Sequence, residues 1–184
     1  MKQYTLEEFW ALPEPEDRAH YELIKGSLFM VPPPDWPHGD FDARLKKSLI
    51  LFLAAHGDPG NVYHPREAIY VDDTYLEPDM MYVSNDLAAR MGKRRTSAEI
   101  VFEYISKSSA IYDRTTKADT YLALGVKELW LIDTDGVMIE VRYRIMKDRF
   151  PAWEIWQYRK GDKAESRVLN GWHVPVGELF AGLV

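Results

Sequence analysis

Two short runs decide the fold: Leu76-Glu77-Pro78-Asp79-Met80-Met81-Tyr82-Val83 and Ile100-Val101-Phe102-Glu103-Tyr104-Ile105. The second is apolar and β-branched except at Glu103, the pattern of a strand buried on both faces. The first sets Asp79 directly after Pro78 within an otherwise apolar strand. A charged side chain buried in such a strand costs several kcal/mol unless it is paired or bound to a metal. Both acids therefore stand where local preference would not put them. If the two strands are neighbours, Asp79 and Glu103 converge at one edge of a sheet.

Around these runs the sequence predicts an alternation of helices and strands. Thr5 followed by Glu8 is a capping box, and a short helix is expected over Thr5–Leu12, stopped by Pro13 and Pro15. Tyr21–Val31 reads as a hairpin turning at Lys25-Gly26, ended by Pro32, Pro33 and Pro34. Phe41, Leu45, Leu49, Phe52 and Leu53 share one helical face, with Gly57 as a stop. Val62–Val71 and Leu76–Val83 read as two strands around Asp72-Asp73-Thr74, and Asn85–Thr96 as helix or loop. Asp113–Leu124 predicts a second helix ended by Gly125, and Glu128–Asp133 a further strand. Val137–Tyr143, Trp153–Arg159 and Ala164–Leu169 read as antiparallel strands, with a small helix near Gly177–Leu183. No repeat, low-complexity tract or linker interrupts the chain. The expectation is one α/β domain over residues 1–184 with a mixed sheet flanked by helices and C-terminal antiparallel strands.

Composition narrows the chemistry. The 184 residues are 46% apolar and 13% aromatic, enough to bury a core and too apolar for a disordered chain. No run of eighteen apolar residues predicts a membrane span, and Met1–Trp10 lacks the apolar stretch of a signal peptide. Cysteine is absent, which removes disulfides, thiolate nucleophiles, iron–sulfur clusters and cysteine zinc sites, and suits a reducing cytoplasm. The net charge of −6 argues against a protein that coats nucleic acid nonspecifically. The charge is uneven: residues 1–88 carry 7 Lys and Arg against 16 Asp and Glu, whereas residues 89–120 carry 7 against 4. The basic excess of that middle segment includes Arg90, Lys93, Arg94 and Arg95.

Several mechanisms lack their signatures. No phosphate-cradling glycine loop, dinucleotide-binding turn or serine nucleophile elbow is present. His20, His38, His56, His64 and His173 are too widely spaced for a zinc helix. What remains is Asp79, Glu103 and Lys117, the last with Asp113 and Tyr121 at i−4 and i+4 on one helix face. Two carboxylates held together repel unless a cation lies between them. Hard oxygen donors without His or Cys favour Mg²⁺ or Mn²⁺. Such an ion polarises a phosphoryl group and lowers the pKa of a bound water, and an ammonium nearby offsets charge on the transition state. The basic segment would hold a nucleic-acid backbone. Each element also has an ordinary reading. Pro78-Asp79 suits a strand-start turn, Glu103 an outward-facing position, Asp113 and Lys117 a solvated i,i+4 pair, and the arginines a solvated face.

At these residues the sequence resembles the Uma-type restriction-endonuclease family, a branch of the PD-(D/E)XK nuclease superfamily. The similarity runs from about Tyr21 to Asp133. It includes Tyr21-Glu22-Leu23-Ile24-Lys25-Gly26, Val31-Pro32-Pro33-Pro34 with His38 just after, Glu77-Pro78-Asp79 and Glu103-Tyr104-Ile105-Ser106. It continues through Asp113, Lys117 and Tyr121 to Gly125-Val126-Lys127-Glu128-Leu129-Trp130-Leu131-Ile132-Asp133. The resemblance implies a restriction-endonuclease-like core with Asp79 and Glu103 as metal ligands. The lysine of the strand motif is missing, since position 105 is Ile, and the resemblance implies that Lys117 on the helix takes its role. Glu22 is implied as an auxiliary acid and His38 as a substrate contact. Lys107 stands where the family has proline and adds a positive charge. With Arg94 and Arg95 it joins the expected substrate contacts, and Asp113 and Tyr121 the auxiliary residues.

Two functions follow. The first is a Mg²⁺- or Mn²⁺-dependent endonuclease that hydrolyses DNA. The second is a nuclease fold that no longer cleaves and serves as a binding or dimerisation module, motivated by Ile105 and the acidic first half. A homodimer is expected, with the aromatic C-terminal region (Trp153, Trp156, Tyr158 and Trp172) as its interface or as rings packed on the chain's own core.

Overall fold

The protein is described by a computed structural model covering residues 2–16, 19–33, 38–105 and 112–183, with the side chain of His38 left out. The amino-terminal helix α1 (Leu6–Trp10) starts with the anticipated capping box, since the Glu8 amide donates to Thr5 Oγ1 and the Thr5 amide to Glu8 Oε2. A hairpin follows, β1 (His20–Ile24) and β2 (Ser27–Val31). Its two-residue turn has Lys25 at φ 48° and Gly26 at φ 75°, a conformation a glycine adopts without strain. Helix α2 (His38–Ala55) buries Phe41, Leu45, Leu49 and Leu53 as one stripe.

The two strands expected over Val62–Val71 and Leu76–Val83 are four. They are β3 (Gly60–Tyr63), β4 (Ile69–Val71), β5 (Thr74–Leu76) and β6 (Met80–Ser84). Pro65, with Arg66 at φ 79°, breaks the first run, and the Pro78-Asp79 bend breaks the second because proline cannot donate to a ladder. The pieces go to different sheets. β4 and β5 pair around Asp72-Asp73 and join the hairpin in a four-stranded sheet ordered β2-β1-β5-β4. β3 and β6 belong to the large sheet.

Past α3 (Asn85–Met91), the chain enters β7 (Ile100–Ile105), all six residues of which are buried. It resumes in a π-helical turn, Asp113–Lys117, continuing into α4 (Ala118–Ala123), and then forms β8 (Glu128–Asp133), β9 (Met138–Lys147) and β10 (Phe150–Tyr158). The large sheet is ordered β10-β9-β8-β7-β6-β3, with β7 and β8 parallel and its other pairs antiparallel. The β9–β10 ladder reaches beyond the expected Tyr143 and Trp153. It closes at Asp148 and Arg149, both with positive φ, a turn whose polar sequence reads as loop. A small sheet pairs β11 (Lys163–Glu165) with β12 (His173–Pro175), and α5 (Val176–Phe180) follows.

The large sheet separates two apolar clusters. On the α2 face, Ile100, Phe102 and Tyr104 pack with Leu45, Leu49, Trp130 and Trp172. On the other face, Val101 and Ile105 pack with Met81, Ala118, Leu129 and Leu131. Side chains alternate along a strand, so Glu103 projects with Val101 and Ile105 towards α4. Of the C-terminal aromatic residues, Trp172 is core at 3% exposure and Tyr158 meets Tyr143. Trp153 donates from Nε1 to the Ala118 carbonyl. Trp156, together with Ile155 and Phe150, is exposed. Among the described residues no helix is long and apolar enough to cross a membrane.

Candidate active site

The register of β6 against β7 pairs Met80 with Phe102, and one step further sets Asp79 across from Glu103. Asp79 is held there by a bond from the Tyr104 amide to its Oδ2 at 2.8 Å. Glu103 is 4% exposed. Its Oε1 accepts from the Tyr121 hydroxyl at 2.6 Å and lies 2.8 Å from Lys117 Nζ. The outward-facing alternative for Glu103 is therefore wrong, and so is the solvated helix pair. Asp113 and Lys117 are buried, 3.9 Å apart, on the inner side of the π turn.

Glu22 completes the group from β1 of the four-stranded sheet. Its carboxylate is fully buried, with Oε1 3.2 Å from Lys117 Nζ and accepting from the Glu77 amide at 3.0 Å. Oε2 accepts from the Tyr112 hydroxyl at 3.0 Å. One buried ammonium thus faces Glu22, Glu103 and Asp113, with Asp79 beside Glu103. Burial raises the proton affinity of Glu103 well above the usual carboxylate range; Lys117 opposes this, and Asp79, Asp113 and Glu22 add to it. Burial disfavours the Lys117 charge, yet Glu103 and then Glu22 outweigh it and push the ammonium well above its ordinary value. Burial, then Glu103, likewise pushes the Tyr121 hydroxyl up, so it remains a donor.

The π turn that carries Lys117 is held from behind by an ionic cluster not anticipated from the sequence. Arg142 donates through Nη1 to the Arg114 carbonyl at 2.8 Å and through Nε and Nη2 to Glu140 Oε1, both at 2.8 Å. Arg114 in turn bonds Asp133 Oδ2 at 3.0 Å and approaches Glu140 Oε2 at 3.8 Å. Arg142 thus ties the backbone of the π turn to β9. The signal in the sequence was period two: Glu140 and Arg142 alternate along β9 with the core residues Ile139, Val141 and Tyr143, and are buried on its other face. His20 was also missed. Its Nε2 is buried without a hydrogen-bond partner among the described residues, 4.0 Å from Glu22 Oε1.

Not every expected residue gathers here. Arg94 and Arg95 line a separate cavity with Trp10 and Tyr70. Lys107 and the side chain of His38 lie outside the described residues.

Residues 6–177 match the sequence model of the Uma2 family, described as "Putative restriction endonuclease". The chain belongs to the Uma2 family. No curated protein matches this Uma2 chain. Its fold is similar to a crystal structure from Anabaena variabilis described as "a putative nuclease belonging to DUF820", with TM-score 0.78 and 19% identity. The likeness covers 98% of this chain and 99% of that one. The restriction-endonuclease-like α/β fold expected from the sequence is thereby shown, and the Uma2 assignment joins it to a nuclease family.

The donor set bears on a metal ion. Among the described residues no group of three or more His, Asp or Glu has metal-holding geometry. Asp79 and Glu103 nevertheless fit one. They are neighbouring carboxylates, and Asp79 adds to the raised proton affinity of Glu103. A divalent cation between them relieves that repulsion.

Proposed function

We propose that this Uma2 protein is an endonuclease that hydrolyses phosphodiester bonds of DNA with Mg²⁺ or Mn²⁺. The observation that supports it best is the meeting of Asp79 and Glu103 across β6 and β7, with Lys117 Nζ 2.8 Å from Glu103. In this reading Asp79 and Glu103 hold the ion. When bound, the ion supplies Lewis acidity toward a phosphate oxygen and a water of lowered pKa.

The chain's own groups do the rest. Lys117 stays an ammonium at neutral pH because Glu103 and Glu22 raise its proton affinity, so it acts as a fixed positive charge and not as a base. Held in a site with little water, that charge stabilises negative charge accumulating on the phosphorus oxygens. Tyr121 orients the Glu103 carboxylate by donating to its Oε1. Glu22 and Asp113 fix the ammonium from the sides. His38, Arg94, Arg95 and Lys107 are assigned to the substrate, a cytoplasmic DNA.

The test is nicking of supercoiled plasmid with Mg²⁺ or Mn²⁺, against an EDTA control. Nicking that disappears in Asp79→Asn and Glu103→Gln supports the reading; nicking unchanged in both overturns the assignment. No nicking, together with no rise in melting temperature on adding Mn²⁺, favours the non-cleaving module suggested by Ile105, since a ligand bound only by the folded state raises stability. The dimer is proposed along the exposed edge strand β10, with Phe150, Ile155 and Trp156 at the contact. A single 21.4 kDa species in sedimentation refutes it.

A further inference from the structure

A second concentration of chemistry lies away from Glu103. The loop after α3, the β4–β5 hairpin and Trp10 at the end of α1 enclose an open cavity of about 550 Å³. Its walls mix rings with cations. Trp10 is 59% exposed and stands edge-on to Tyr70 at 6.1 Å, and Tyr70 stacks with Tyr75 at 6.2 Å. Arg95 is fixed, its guanidinium 3.8 Å over the Tyr63 ring and 2.5 Å from Glu67. The Tyr70 amide donates to the Arg95 carbonyl, tying the loop to the hairpin. Arg66, Lys93 and Arg94 are exposed in the same wall, and among the described lining residues Glu67 is the one acid. The cavity is therefore basic in a chain of net charge −6.

An aromatic anion answers both features. Rings accept a nucleobase face whatever its sequence, and guanidinium and ammonium groups hold phosphate. We propose that this cavity binds one nucleotide unit, its base against Trp10 and Tyr70 and its phosphate against Arg66, Lys93 and Arg94. Val83 lines the cavity and lies in β6, whose first residue Met80 directly follows Asp79, so Val83 stands four residues from Asp79. That is about 13 Å at the usual rise of a strand. Successive phosphates of a DNA strand advance about 3.4 Å along the duplex axis, so such a span corresponds to about four paired nucleotides. An unpaired nucleotide of a bound strand is one source of the ligand, and this source rests on the nuclease reading above. A free mononucleotide is the other and does not depend on it.

The experiment is binding in EDTA, which separates the cavity from metal-dependent cleavage. A fluorescent 12-nucleotide single strand, the same strand with abasic positions, and dAMP are titrated into the full chain, Trp10→Ala and Lys93→Ala/Arg94→Ala. Trp10 is surface-exposed, and near-ultraviolet circular dichroism checks that each variant is folded. Trp10→Ala is expected to weaken the normal strand about tenfold or more and the abasic strand little. The double variant is expected to lower the slope of log affinity against log salt by about 1.4. Binding of dAMP as tight as that of the strand, and lost in Trp10→Ala, assigns the cavity to free nucleotides. Binding of strand and dAMP alike unchanged in both variants overturns the proposal. Trp10-dependent binding without plasmid nicking leaves the cavity standing and removes the catalytic reading; nicking without Trp10-dependent binding does the reverse.

Discussion

Lys117 Nζ stands 2.8 Å from Glu103 Oε1, although the strand position two residues beyond Glu103 is filled by the buried Ile105. In the proposed reading the catalytic ammonium comes from the π turn and not from β7. Ile105 is thereby released to pack with Val101 and Leu131. The same relationship makes Lys117 the counterion of three buried acids, so its loss leaves them facing one another.

Lys117→Met is expected to lower stability by about 3–5 kcal/mol, the usual result of removing one partner of a buried pair. Adding Glu103→Gln to it is expected to restore part of that loss, which urea denaturation of the single and double variants measures. The deficit also depends on pH. The folded-state proton affinity of Glu103 is already raised by burial, and removing Lys117 raises it further. A carboxyl raised on folding contributes stability in full below its unfolded pKa of about 4.3, and loses it as pH rises through the folded value. The gap between Lys117→Met and the natural chain is therefore expected to be smaller at acidic pH than at pH 8. A gap independent of pH would mean that Glu103 does not carry the charge.

Glu103→Gln alone separates stability from activity. Asp79, Asp113 and Glu22 all disfavour a charge on Glu103, so an amide of the same shape relieves repulsion. The variant is expected to be at least as stable as the natural chain at pH 7 without metal. Nicking is expected to fall about a hundredfold or more, because a metal ligand and its orienting contact to Lys117 are lost. Thermal denaturation and plasmid nicking on one preparation decide it: a variant both less stable and fully active sinks the assignment.

Much of this geometry was legible in the sequence because it depends on a strand's period of two and on misplaced charge. Asp79 after Pro78 and Glu103 within an apolar run are local anomalies, and an antiparallel neighbour converts them into a pair. Lys117, Asp113 and Tyr121 followed from helical spacing, although a π turn carries the first two. Other contacts had no local signal. Arg142 reaches the Arg114 carbonyl across 28 positions, and Tyr112 reaches Glu22 across 90. The division of 62–71 and 76–83 between two sheets was equally hidden. Pro65 and Pro78 mark the breaks, but only tertiary pairing decides which piece joins which sheet.

Arg142 acts on the site through the π turn. Its guanidinium joins Glu140 to the Arg114 carbonyl, a fork that a lysine ammonium does not reproduce. Arg142→Lys is therefore expected to behave more like Arg142→Leu than like the natural chain. Both are expected to lower kcat for nicking about ten- to a hundredfold as Lys117 shifts, while KM for the plasmid changes little. A rise in KM with kcat intact would give Arg142 a substrate-binding role in place of a positioning one.

Glu128 supplies the contrasting case of a buried acid whose carboxylate is taken up by structural hydrogen bonds. Its Oε1 accepts the Arg167 and Val168 amides at 2.5 and 2.7 Å, and its Oε2 accepts the Ser166 hydroxyl and the Trp130 indole at 2.9 and 3.1 Å. Four donors converge on one carboxylate and fasten the segment after β11 to the sheet. Removing it strands two backbone amides, each costing about 1–3 kcal/mol if it stays buried. Glu128→Ala is expected to lower stability by about 3 kcal/mol or more. Glu128→Gln is expected to be destabilising too, because its amide NH₂ meets donors whichever way it turns. Unlike Glu103→Gln, neither change is expected to reduce nicking per folded molecule. Denaturation midpoints read beside activity at low temperature separate the two acids; equal loss of activity from Glu128→Gln and Glu103→Gln would mean that burial of charge alone does not distinguish the catalytic carboxylate.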